Sequence, residues 1–111
     1  MTIIPRMFVA DPRAAVEFLR KVFDAQGEVT DGRPADVSIG DSRILISDTS
    51  ERDAFPAFLY IYVADTDHTY ERAMAAGAIS METPRATPYG DRRAMVRDPF
   101  GNIYQIATPT P

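Results

Sequence analysis

Cysteine is absent from this 111-residue chain, which removes a disulfide framework, a thiolate nucleophile and zinc–cysteine sites together. Histidine occurs once, as His68, so the usual acyl-transfer arrangements have no second imidazole, and a lone hydroxyl such as that of Ser47 has no identified base. No run approaches the ~18 apolar residues of a membrane span, and Met1 to Arg6 hold no basic segment followed by a long apolar one. Positive charge is also scarce. Twelve Lys and Arg stand scattered against sixteen Asp and Glu, a net charge of −4, and form no stripe suited to nucleic acid or an anionic membrane. The expectation is a cytoplasmic protein that engages neither.

What is present has the balance of an ordinary globular chain, with 45% apolar and 25% charged residues. At 111 residues it fits one domain, because a split would leave two pieces with marginal cores.

Ile3 to Val9 reads as a first strand, with Pro5 placing it at a strand start or an edge. Asp11 suits an N-cap and Pro12 a first helical position, and Ala15, Val16, Leu19 and Phe23 then recur at helical spacing. That helix is expected to reach about Ala25, with Gly27 ending it. Three strands follow, near Glu28 to Thr30, Ala35 to Ile39 and Arg43 to Ser47, separated by turn chemistry at Asp31-Gly32 and Gly40-Asp41-Ser42. Asp48 to Pro56 reads as a connection.

The order then repeats. Ala57 to Val63 is a strand, and its Val63-Ala64-Asp65 copies Val9-Ala10-Asp11 at an offset of 63 − 9 = 54. In the next helix Tyr70, Ala73, Met74 and Gly77 fall at helical spacing, with Gly77 suited to a left-handed stop. Strand-like pieces come near Ala78 to Glu82, Arg92 to Arg97 and Asn102 to Thr108, the last two joined by a tight loop, Asp98-Pro99-Phe100-Gly101-Asn102. Strand, helix and three strands, run twice, predict an α+β fold of two βαβββ modules, about residues 1–50 and 56–111, forming open cup-shaped mixed sheets within one domain.

Three segments together resemble the vicinal oxygen chelate superfamily, the group of glyoxalase, bleomycin-resistance proteins and extradiol dioxygenases. They are Phe8-Val9-Ala10-Asp11 leading into Ala14 to Leu19, Tyr62-Val63-Ala64-Asp65 leading into Ala75-Ala76-Gly77-Ala78, and Tyr89-Gly90-Asp91-Arg92 with Arg97 to Asn102. The resemblance implies paired βαβββ modules and a homodimer that completes the cups. It also implies a divalent metal held by histidine and carboxylate side chains from the first and last strands of each half.

At the matching positions this chain carries other residues. The final-strand glutamate position is Gln105, a neutral amide and a poor ligand for divalent metals. The first-strand histidine positions are Ile4 and Phe58, and the remaining place falls on Ile46 or Ser47. A catalytic metal needs about three protein ligands, so no metal and no other cofactor is expected. Asp48, Glu82 and Glu28 remain as unaligned carboxylates. His68, in the first turn of the second helix, is expected from the amphipathic pattern to face solvent, and a helix N-terminus disfavours a cation, so it is no catalytic candidate.

Strand alternation puts Ile103, Gln105 and Ala107 on one face, Phe58, Tyr60 and Tyr62 on another shared face, and Arg6 and Phe8 beside Ile4. Two readings stay open: these rings fill a closed core or dimer seam, or they line an open cup. In the open case Arg6, Phe8, Phe58, Tyr60, Tyr62, Arg93, Ile103 and Gln105 form a ligand site for a planar, partly aromatic small molecule, with no catalytic residue. The expected function is metal-independent binding or sequestration of an antibiotic or aromatic metabolite by a homodimer. The alternatives are a divalent-metal lyase, isomerase or thiol transferase, and a closed interaction module without ligand.

Overall fold

Two copies of one short signal start both helices. Asp11 accepts from the Ala14 backbone N–H at 3.1 Å and Asp65 accepts from the His68 N–H at 3.1 Å, each carboxylate satisfying a donor that the first helical turn leaves open. The repeated Val-Ala-Asp therefore does the same work twice. In the computed structural model, which describes residues 1–111, each helix is preceded by a strand and followed by more, and the chain divides into two compact units, Met1–Ala57 and Phe58–Pro111.

The first unit holds strand β1 (Arg6–Phe8), helix α1 (Pro12–Phe23), and strands β2 (Ala35–Ile39) and β3 (Ser42–Ser47). The sheet order is β1-β3-β2, with β1 parallel to β3 and β2 antiparallel to it. One stripe of α1, comprising Ala15, Val16, Phe18, Leu19, Val22 and Phe23, is buried, as are Met7, Ala35, Val37, Ile44 and Ile46 of the sheet. Phe55 bridges to Phe8 on the other edge of β1, through bonds of 3.0 and 3.3 Å.

Two local expectations are corrected here. No strand forms near Glu28 to Thr30; the neighbourhood contributes a single bridge, Gln26 to Ser38, and the first module has three strands in place of four. The reason lies in Gly27, whose φ is +141° and where a Cβ would stand 2.7 Å from the Asp36 carbonyl oxygen. The backbones approach too closely and too briefly for a ladder, and Gly32 and Pro34 then turn the chain away. Helix α1 also stops earlier than expected. Asp24, not Gly27, takes the left-handed conformation (φ 56°) and donates its N–H to the Arg20 carbonyl.

The second unit holds β4 (Phe58–Tyr62), α2 (Thr66–Ala75), β5 (Ile79–Ala86), β6 (Asp91–Arg97) and β7 (Ile103–Pro109), in sheet order β4-β7-β6-β5. β4 is parallel to β7, and the β5–β6 and β6–β7 pairs are antiparallel. Thr66, Thr69 and Ala73 of α2 are buried, and so are Ala94, Val96, Tyr104 and Ile106, which alternate along β6 and β7. Gly77, at φ +98°, follows the end of α2 as expected.

The β6–β7 loop is built around Asp98, which is 3% exposed. Its carboxylate accepts from the backbone N–H groups of Phe100 and Asn102, the Asn102 side-chain amide and the Tyr104 hydroxyl, all at 2.8–2.9 Å. Gly101 supplies the positive φ that lets the loop close. Asp98→Ala would leave buried donors without an acceptor, and we expect a loss of about 3 kcal/mol in urea unfolding, against about 1 kcal/mol for Tyr104→Phe, which removes one donor cleanly.

Candidate functional site

The register of the second unit sorts its side chains into rows. Tyr62 lies opposite Ala107 and Ala107 opposite Arg93; Tyr60, Gln105 and Met95 form the next row; Phe58, Ile103 and Arg97 form the third. These residues occupy the face of the sheet turned away from the buried Tyr104, Ile106 and Val96. Phe58, Tyr60 and Tyr62 are 62%, 38% and 60% exposed, so their rings form an open row and not a closed core within this unit. The Tyr60 and Tyr62 rings meet edge to face, with centroids 5.4 Å apart.

A buried carboxylate fixes the row. Asp91, 6% exposed at the start of β6, accepts the Tyr60 hydroxyl at 2.6 Å and the Tyr62 hydroxyl at 2.8 Å on the same oxygen, Oδ2. Its backbone is tied to Thr87 by three bonds of 2.8–3.0 Å, which hold the β5–β6 turn. Arg93 is engaged on three sides: it donates to Glu82 at 2.8 and 3.1 Å and to the Tyr89 hydroxyl at 2.8 Å. Tyr89 in turn lies 3.2 Å from the Tyr60 hydroxyl. Each Tyr has a single hydroxyl hydrogen, so with Tyr60 donating to Asp91 the Tyr89 hydrogen goes to Tyr60. The bonds therefore run in one direction, from Arg93 through Tyr89 and Tyr60 to Asp91.

The electrostatics agree with this direction. Desolvation and the bond to Asp91 push the Tyr60 phenol far above its ordinary range, and the Asp91 bond does the same, less strongly, to Tyr62. Both are therefore neutral donors at physiological pH. The Arg93 guanidinium holds Glu82 below the usual carboxylate range.

In the first unit Arg6 and Phe8 are neighbours on β1. The Arg6 guanidinium sits 4.7 Å from the centroid of the Phe8 ring and donates to Ser47 Oγ at 3.0 Å, and the Arg52 guanidinium lies 5.4 Å from the same ring. Arg6, Phe8 and Ser47 line a cleft of about 300 Å³ together with Ser50, Glu51 and Arg33. Phe8 pairs with Ser47 while Ile46 pairs with the buried Met7, so of the two candidate positions on β3 it is Ser47 that shares the Arg6 and Phe8 face.

The residues present do not fit the metal that the family resemblance implies. Ile4 lies before β1, Ser47 is a hydroxyl already accepting from Arg6, Phe58 is a ring, and Gln105 is an amide opposite Tyr60. No three His, Asp or Glu side chains converge in a metal-holding group. Of the unaligned carboxylates, Glu82 is paired with Arg93, Asp48 accepts from the Ser50 backbone and hydroxyl, and Glu28 is exposed. His68 is exposed on the first turn of α2.

Sequence reasoning missed Asp91 and Tyr89 as members of the site. Tyr89-Gly90-Asp91-Arg92 stood out only as a mark of resemblance, although alternation along β6 would have put Asp91 on the face of Arg93. Alkaline titration followed by phenolate absorbance should show Tyr60 and Tyr62 ionising above the ordinary value of 10.0, and Asp91→Asn should return them toward it. Because their folded values are raised, their contribution to stability is complete below 10 and fades only as pH rises past it. Glu82 has the opposite sign: its folded value is depressed, so its contribution is complete above the unfolded value of ~4.3 and is lost as pH falls through the lower folded one. In acid unfolding, Glu82→Gln should therefore flatten the stability decline that the parent protein shows over that window.

The chain is 28% identical to an uncharacterised protein of Mycobacterium bovis, over 95% of this chain and 81% of that one, and 28% identical to one of Mycobacterium tuberculosis, over 95% and 72%. Among solved structures, TioX from Micromonospora sp. ML1 superposes with a TM-score of 0.83 at 23% identity, covering 98% of each chain. A lactoylglutathione lyase from Agrobacterium tumefaciens superposes at 0.76 with 20% identity, covering 96% of this chain and 92% of that one. The profile of the Glyoxalase/Bleomycin resistance protein/Dioxygenase superfamily matches residues 4–106, and the chain belongs to that superfamily.

Proposed function

We propose that this protein binds a planar, partly aromatic small molecule, an antibiotic or an aromatic metabolite, without a metal and without altering it chemically, and that it does so as a homodimer. The observation that carries the reading is the exposed row Phe58, Tyr60 and Tyr62, whose two tyrosines are held in place by the buried Asp91. Rings left open to water on a sheet face and immobilised from behind are suited to stacking a flat ligand at little cost in side-chain entropy. Gln105, half-buried in the middle row, adds an amide able to donate and accept.

The same positions count against the metal-dependent lyase reading that one structural neighbour brings to mind. Ile4, Ser47, Phe58 and Gln105 supply no carboxylate and no imidazole, and Glu82 is held by Arg93. In the first unit, the Arg6 and Phe8 cleft is a ligand surface of its own in this reading.

Magnitudes limit what stacking alone can do. Covering on the order of 200 Å² of ring surface at about 25 cal/mol per Å² contributes about 5 kcal/mol, and association itself costs ~4 kcal/mol or more. Directed polar contacts must supply the remainder. A thermal-shift and tyrosine-fluorescence screen against planar aromatic antibiotics and metabolites in the presence of EDTA should find a stabilising class, and native mass spectrometry should find a dimer. Tyr62→Ala should weaken that binding by about tenfold. A screen silent to every compound, or binding that appears only on adding Mn²⁺, Ni²⁺ or Zn²⁺, overturns the reading.

A further inference from the structure

We infer that the ligand is a cation: a planar molecule carrying a protonated amine or ring N–H groups, with its positive end at Tyr62 and Asp91. This rests on the proposed binding of a planar molecule and adds its charge. The reason is the direction of the hydrogen bonds on this face. Tyr60 and Tyr62 both donate to Asp91 Oδ2, Tyr89 donates to Tyr60, and Arg93 donates to Tyr89 and Glu82. Every phenolic hydrogen and three guanidinium donors are thereby engaged inside the protein. What the Tyr62 hydroxyl presents outward is lone pairs, because its one hydrogen is occupied.

Three further features act in the same sense. The exposed rings of Phe58, Tyr60 and Tyr62 offer π surface to a ligand, and the negative side of a ring quadrupole favours a cation within about 6 Å. Charge along the rows is unequal as well. At the Tyr62 end two guanidinium groups, Arg93 at 2.8 and 3.1 Å and Arg85 at 3.9 Å, share Glu82, and Asp91 supplies the second carboxylate, so that end carries no excess positive charge. The unpaired guanidinium of Arg97 stands in the row of Phe58 and Ile103, at the opposite end. A cation is therefore steered to Tyr62, and an anion finds no open donor there. Arg93, which sequence reasoning cast as a ligand contact, is instead a positioning residue that orders Tyr89 and Glu82.

The test compares two flat three-ring probes of opposite charge, proflavine and anthraquinone sulfonate, by fluorescence and calorimetric titration at moderate salt. Proflavine is expected to bind at least about tenfold more tightly. Because the whole chain is acidic, the preference must also depend on the named groups: in Tyr62→Phe the proflavine-to-sulfonate ratio should fall about threefold, and in Asp91→Asn about tenfold. Tyr62→Phe keeps the ring and the fold, so the test survives if Asp91→Asn unfolds. Equal or tighter binding of the sulfonate overturns the cation assignment and leaves planar binding standing, and so does a ratio unchanged in folded Tyr62→Phe. Failure of both probes to bind overturns the two together.

Discussion

The parallel pairing of β4 with β7 is the constraint on which the second unit's face depends. Side chains alternate with a period of two, so a slip of one residue would turn Phe58, Tyr60 and Tyr62 toward the α2 side and bring Leu59 and Ile61 out. Two things prevent the slip. Tyr104 and Ile106 on β7 are almost completely buried and fix which face is inner, and Asp98 fixes the start of β7 through four donors, one of them from Tyr104 itself. The loop that anchors the strand thus also aims the rings across from it.

Given that register, a single carboxylate sets the character of the face. Exposed tyrosines on a sheet edge would ordinarily leave their hydroxyls to water, with each ring free to change rotamer. Here both hydroxyls meet on one oxygen of a buried Asp91, whose own backbone is tied to Thr87. Burying that charge is tolerable only because two neutral hydroxyls donate to it, and it holds the hydroxyls because it is charged. The arrangement is mutual. Its by-product is a surface whose donors point inward and whose acceptors point outward.

Much of the fold was legible in the sequence because the deciding signals are local. Asp11 as a cap, the repeated Val-Ala-Asp, Gly77 as a left-handed stop, the tight loop Asp98 to Asn102 and the alternation along β7 are all expressed within a few residues, and each appears where that chemistry requires. The missing strand near Glu28 to Thr30 was not legible, because its absence is decided by how closely Gly27 approaches the backbone of Asp36 and Val37, about ten residues further on. The site followed the same division. Phe58, Tyr60 and Tyr62 share a face by periodicity, as do Ile103 and Gln105, whereas joining the two sets and adding Asp91 needs the β4–β7–β6 neighbourhood, which no local pattern contains. The pairing of Arg93 with Glu82 was not legible either, because Glu82 lies on β5, across a register shift that alternation does not reveal.

The positions that differ from the superfamily's metal-binding pattern differ together, and that is chemically informative. A carboxylate replaced by Gln105 alone would weaken a metal site; a ring at Phe58 and an apolar residue at Ile4 remove the donors it would need from its neighbours. On this face a negative charge sits at Asp91, which accepts from two phenols. A carboxylate that faces outward invites a hard metal ion, but one buried behind two phenols can reach a ligand only through their oxygens and ring faces. Such a surface suits a large, soft, polarisable cation better than a small hydrated one, because the larger ion gives up less hydration on contact and gains dispersion across the rings. On the proposed reading, a face without metal donors selects its ligand by charge, through phenol oxygens and ring faces.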